Sequence, residues 1–172
     1  MPKLTNPSRG RTIEHTVVRA LTGRNLTLAT AESCTGGWVA HRITNVPGAS
    51  KIFLGGVVAY SNEAKRKFLG VRPETLSRHG AVSAAVAREM AAGARKKFGA
   101  DFAIAVTGIA GPSGGTTAKP VGTVFIALAG PFGMVAERRL NYFGRERFKE
   151  VTAGQALAML YSRLLRTAAV SS

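Results

Sequence analysis

Residues 30–37 read TAESCTGG, and this stretch constrains the chain's architecture more than any other. Upstream, Leu26, Leu28 and Ala29 form a short apolar run; downstream, Gly36 and Gly37 precede Trp38, Val39, Ala40 and Ile43, spaced for one face of a helix. A buried strand therefore hands over to a helix through small residues, with Ser33 at the junction. Such a junction presents backbone N–H groups and a hydroxyl together, as an acyl-transfer nucleophile or an anion site requires. The plain alternative is that Ser33 and Thr35 only cap the helix.

Helices and apolar strands alternate along the rest of the chain. Ile13, Val17, Val18 and Leu21 recur at helical spacing, with Gly23 as a stop. Strands are expected over residues 26–31, 52–60, 102–106, 121–129 and 134–141, and helices over 36–44, 83–98 and 146–165. Asn62 is a plausible N-cap for a short helix through Leu69, and Pro47-Gly48 and Pro73 read as turns. Alternation of this kind, with the last two strands joined across residues 130–133, predicts a three-layer α/β/α sandwich on a mixed, largely parallel sheet. A loose basic tail over residues 1–11 and one domain over 12–168 are expected, which suits a chain of 172 residues.

No apolar run reaches the roughly 18 residues needed to cross a bilayer, and the start MPKLTNPSRGRT lacks the apolar core of a signal peptide. A cytoplasmic protein is the expectation. The lone cysteine, Cys34, has no internal disulfide partner, and the 3 histidines show no metal-ligand spacing with it. No metal and no cofactor are expected. Cys34 sits beside Ser33 and is its rival as a nucleophile, although a small residue at such a place often only packs. Lysines and arginines number 24 against 9 acids, a formal charge of +15. An excess of this size suits nucleic acid or an anionic small substrate. The cations are dispersed, however, with few aromatics between them, which favours a solvated basic surface over a nucleic-acid interface.

In an open α/β sheet, ligands bind beyond the carboxyl ends of the strands. Three such ends carry chemistry: Ser33, Tyr60, and Thr107 with Gly108. After Tyr60, the segment YSNEAK puts Lys65 on the first turn of a helix, within reach of the same cleft. A serine hydroxyl needs a base, and a lysine can serve if burial or neighbouring cations lower its pKa. The loop TGIAGPSGGTTAKPVGT is dense in glycine, which lets backbone N–H groups approach a ligand closely. It matches neither the Walker nor the dinucleotide fingerprint.

Four blocks, TAESCTGG, GGVVAYSNEAK, VTGIAGPSGGT and KPVGTVFIAL, occur in this order and resemble the CinA C-terminal domain family over about residues 12–167. Stand-alone members of that family are nicotinamide-nucleotide amidohydrolases, or nicotinamide mononucleotide deamidases. The larger N-terminal domain of full-length CinA proteins has no counterpart here, so the stand-alone type is expected. The resemblance implies Ser33 as nucleophile, Lys65 as base and Tyr60 as a catalytic partner. It implies substrate binding by Thr107, Lys119 and Arg147, and Thr35, Gly36 and Gly108 beside them are further candidates for substrate binding. The family's arginine follows an aromatic, spacer, glycine, acid pattern; here the run is YFGRER, which puts the acid-arginine pair on Glu146 and Arg147 but displaces the glycine to Gly144. Arg145 is therefore the rival of Arg147.

The implied reaction is hydrolysis of nicotinamide mononucleotide to nicotinic acid mononucleotide and ammonia, in a homodimer or larger homo-oligomer. Two readings of other classes stand beside it. One is a basic nucleic-acid-binding protein linked to competence or damage; the other is a nucleotide-binding module without turnover.

Overall fold

In the computed structural model, residues 12–168 are described, and the tail expected over residues 1–11 lies outside them. A five-stranded sheet forms the centre, built from β1 (Leu28–Glu32), β2 (Phe53–Val58), β3 (Phe102–Gly108), β4 (Thr123–Gly130) and β5 (Gly133–Leu140) in the order β2-β1-β3-β4-β5. β1 pairs in parallel with β2 and β3, whereas the β3–β4 and β4–β5 ladders are antiparallel. Only β4 runs against the rest.

Alternation along the strands gives the two faces different sizes. Leu28, Ile104, Val106, Val124, Ile126 and Leu128 pack with Val17, Ile43, Leu157 and Leu160 from α1 (Ile13–Thr22), α2 (Trp38–Thr44) and α6 (Arg145–Ala168). The opposite face is nearly all alanine: Ala29, Ala31, Ala103, Ala105, Ala127 and Ala129. Short side chains let α5 (Ala84–Phe98) lie close against the sheet, and α3 (Asn62–Leu69) and α4 (Pro73–His79) flank it. The α3–α5 approach is tight enough to require glycine. A Cβ on Gly93 would stand 1.9 Å from the Leu69 carbonyl oxygen. This fixes the height of α3, and with it Lys65, above the sheet.

Several expected boundaries move for local reasons. α2 begins at Trp38, not Gly36, because Gly36 and Gly37 hold positive φ values of 61° and 96°. β1 extends to Glu32 and starts two residues late, since the Leu26 N–H closes back on the Leu21 carbonyl and the Thr27 N–H is taken by the Asp101 carboxylate. Ser61, not Asn62, caps α3, accepting from the Ala64 N–H at 3.0 Å. Pro73 does not simply turn the chain; it occupies the first turn of α4, where its missing N–H is harmless. β4 starts at Thr123 because Gly122 has φ 95°.

Candidate active site

The site gathers at the C-terminal ends of β1, β2 and β3. Ser33 follows β1 directly, and its N–H donates to the Val106 carbonyl at 3.0 Å, which ties the residue to β3. The turn then folds tightly: Gly36 N–H donates to Ser33 O at 3.0 Å and Trp38 N–H to Thr35 O at 3.3 Å. Left-handed backbone at Gly36 and Gly37 is open to glycine and strained for most other residues.

Glu32, the last residue of β1, is the group that locks this turn, and sequence reading missed it. Its carboxylate is 0% exposed and accepts from three N–H groups: Gly37 at 3.1 Å and Val39 at 3.0 Å on Oε2, and Ala40 at 2.8 Å on Oε1. The donors at the start of α2 are thus consumed by the protein's own anion. A substrate anion has no place at that helix end, contrary to what the strand-to-helix junction alone suggests.

Lys65, on the first turn of α3, is 2% exposed. Its ammonium donates to Ser33 Oγ and to the Ala59 carbonyl, each at 3.0 Å. Burial lowers its pKa from the ordinary lysine value, because a charged ammonium loses hydration that these two contacts only partly replace. A nucleophile and a candidate base with depressed pKa therefore meet directly.

Cys34 points the other way. It is buried in the core, and burial pushes its thiol up to about 12, so it holds almost no thiolate at neutral pH. An ideal Cβ on Gly108 would lie 3.0 Å from Cys34 Sγ and 2.8 Å from Thr123 O, so glycine at 108 is what lets β3 pass beneath the turn.

Tyr60 is 61% exposed, and its hydroxyl accepts from Arg145 Nη1 at 3.2 Å; Arg145 Nη2 also donates to the Gly111 carbonyl at 2.6 Å. Arg145 therefore bridges the end of β2 and the glycine-rich loop. Arg147, the arginine favoured by the sequence pattern, lies about 200° further round the helix and forms an exposed ion pair with Glu150 at 2.7 Å. Of the two rivals, the fold brings Arg145 to the site residues.

The other expected ligands are placed less openly. Thr107 is buried and donates from Oγ1 to the Ala81 carbonyl at 2.9 Å, and Thr35 is buried with no partner for its hydroxyl among the described residues. Lys119 Nζ donates to the His79 carbonyl at 2.8 Å, on the segment before α5. No hydrogen bond among the described residues joins it to Ser33 or Lys65. Gly36 lies in the nucleophile turn, and Lys149 of α6 comes over it: a Cβ there would stand 3.5 Å from Lys149 Nζ. Among the described residues, no group of three His, Cys, Asp or Glu side chains is placed to hold a metal ion, and no helix is long and apolar enough to cross a membrane.

Comparison with known proteins agrees with this fold and these blocks. The family model described as the CinA C-terminal domain matches residues 10–164. The chain belongs to the CinA C-terminal domain family. A "Putative competence-damage inducible protein" of Moorella thermoacetica is 52% identical over 154 residues, covering 89% of this chain and 37% of the relative. The chain thus spans little more than a third of the length of that curated relative. Among solved structures, the competence/damage inducible protein CihA from Agrobacterium tumefaciens is 42% identical, with TM-score 0.84 over 87% of this chain and 92% of that one. A CinA superfamily protein from Klebsiella pneumoniae is 39% identical, with TM-score 0.86 over 90% and 96%.

Proposed function

We propose that the chain is an amidohydrolase that converts nicotinamide mononucleotide to nicotinic acid mononucleotide and ammonia. The observation that carries the reading is the contact of buried Lys65 with Ser33 Oγ at 3.0 Å, beside a thiol too weakly acidic to compete. In its neutral form Lys65 keeps one N–H on the Ala59 carbonyl and offers its lone pair to the Ser33 proton. Ser33 Oγ attacks the carboxamide carbon, and the proton passes to Lys65. Collapse of the tetrahedral adduct breaks the C–N bond as Lys65 returns that proton to the departing ammonia. Water, deprotonated by Lys65, then adds to the acyl carbon; the ester C–O bond breaks and Lys65 returns the proton to Ser33 Oγ, releasing the carboxylate product.

The oxyanion must be held by what the turn leaves over. Gly37, Val39 and Ala40 N–H groups serve Glu32, and those of Ser33, Gly36 and Trp38 serve backbone carbonyls. Cys34 and Thr35 N–H have no backbone acceptor among the described residues and face the neutral Cys34 sulfur, a weak acceptor that an oxyanion would displace; each such donor is typically worth a few kcal/mol in the transition state. Tyr60 offers its ring to the cationic pyridinium, and Arg145 takes the phosphate role assigned to the family's arginine. Assembly as a homodimer or larger homo-oligomer belongs to the same proposal and is measured by light scattering.

The net charge of +15 favours one second reading, binding to nucleic acid. Ammonia release from nicotinamide mononucleotide by the wild type, and its loss in Ser33→Ala, supports the enzyme. No release, together with DNA affinity that falls steeply with salt, supports the second reading instead.

A further inference from the structure

The geometry points to Lys149 as a second ligand of the substrate's phosphate, paired with Arg145 across the mouth of the site. The inference rests on the deamidase reading for the identity of the substrate, but not for the presence of an anion site.

Three observations lead to it. First, Glu32 closes the start of α2 to anions by occupying the Gly37, Val39 and Ala40 N–H groups and by placing a carboxylate there. A phosphate must be received elsewhere. Second, α6 begins over the site, and residues 145 and 149 are four apart, which sets their side chains on one helix face. Arg147 and Glu150 lie on the outer side and satisfy each other, while Phe148 and Thr152 are buried toward the core. Third, Lys149 is a half-buried residue whose ammonium lies over Gly36, 3.5 Å from where a Cβ would be, with no hydrogen bond or ion pair to any described residue.

The remaining cations near this end are engaged. Lys65 serves Ser33 and Ala59, Lys119 the His79 carbonyl, Arg138 the Ala118 carbonyl, and Arg147 the Glu150 carboxylate. Among the described residues, Arg145 itself meets only neutral oxygens, the Tyr60 hydroxyl and the Gly111 carbonyl. A dianion between Arg145 and Lys149 would give both a charged acceptor, the guanidinium fixing orientation and the ammonium adding a point charge.

Calorimetric titration of nicotinamide mononucleotide and of the dephosphorylated riboside into Ser33→Ala, and into Ser33→Ala/Lys149→Met, tests this without turnover. Thermal unfolding of both proteins checks that they are equally folded. The expected result is a loss of about 10–100-fold in affinity for the nucleotide, with the riboside changed less than about two-fold. Unchanged nucleotide affinity, or equal losses on both ligands, would overturn the assignment. Phosphorus NMR of inorganic phosphate with wild type and Lys149→Met separates this from failure of the substrate reading. If neither pyridine ligand binds but phosphate broadening still requires Lys149, the anion site stands and the substrate is wrong. If phosphate broadening is also indifferent to Lys149, the inference fails.

Discussion

Replacing Glu32 by glutamine changes two atoms' chemistry and almost no volume, so its cost measures what the buried carboxylate does. If the new carbonyl takes the place of Oε2, it keeps the Gly37 and Val39 donors but as neutral bonds; the new amide NH2 then faces the Ala40 N–H, donor against donor. The opposite orientation strands two donors. Hydrogen bonds to a charged acceptor contribute about 1.5–3 kcal/mol against about 1 kcal/mol for neutral ones, and an orphaned buried donor costs about 1–3 kcal/mol. Loss of the anion from the helix start adds to this, and burying a neutral amide in place of a charge offsets part of it. A net destabilisation of about 2–4 kcal/mol is expected, read from urea unfolding followed by circular dichroism at unchanged m-value. Turnover per folded molecule should fall as well, because the same bonds set the turn that presents Ser33. A loss below about 0.5 kcal/mol with normal turnover would refute the reasoning.

Other changes separate packing from chemistry. Cys34→Ala should keep most activity, and the wild-type thiol should resist iodoacetamide at neutral pH until the protein is unfolded, since burial holds it protonated. Gly93→Ala drives a methyl group into the Leu69 carbonyl; it should cost about 1–3 kcal/mol in thermal or urea unfolding and reduce turnover, because α3 carries Lys65. Arg145→Ala should raise KM for nicotinamide mononucleotide at least about tenfold with little effect on the riboside. Arg147→Ala should stay within about twofold on both, since an exposed ion pair contributes about 0–1 kcal/mol.

The layered fold was legible because its signals are strong and local: the continuous apolar runs of β3 and β4, the alanine-rich stripe of α5, and glycine or proline at the turns. α4 escaped because seven residues that begin with a proline carry too little periodicity to distinguish a helix from a turn. In the site, Ser33 and Lys65 could be read from their places after β1 and on α3, since a strand end and the first turn of the next helix can face one cleft. Glu32 could not, because a carboxylate at a strand end reads as solvated; only the fold shows that it turns inward to three N–H groups. Its position just before the αL glycines 36 and 37 is the signal that could have marked it. The choice between Arg145 and Arg147 was likewise a question of helix phase. Two residues are more than half a turn, and although the helix was expected from residue 146, the displaced Gly144 left open which arginine faces the site.

Lys65, lowered in pKa by burial, is proposed as the base for Ser33, and the pH dependence of kcat/KM for ammonia release from nicotinamide mononucleotide is the decisive test. The active form has Lys65 neutral, so activity should be lost as pH falls below its pKa and should rise with pH to a plateau, with the midpoint below the ordinary lysine range. Lys65→Met should lower kcat/KM by about 10²-fold or more and abolish that limb. A Lys65→Met protein that is folded, nearly as active as wild type and still rises through the same midpoint would contradict it.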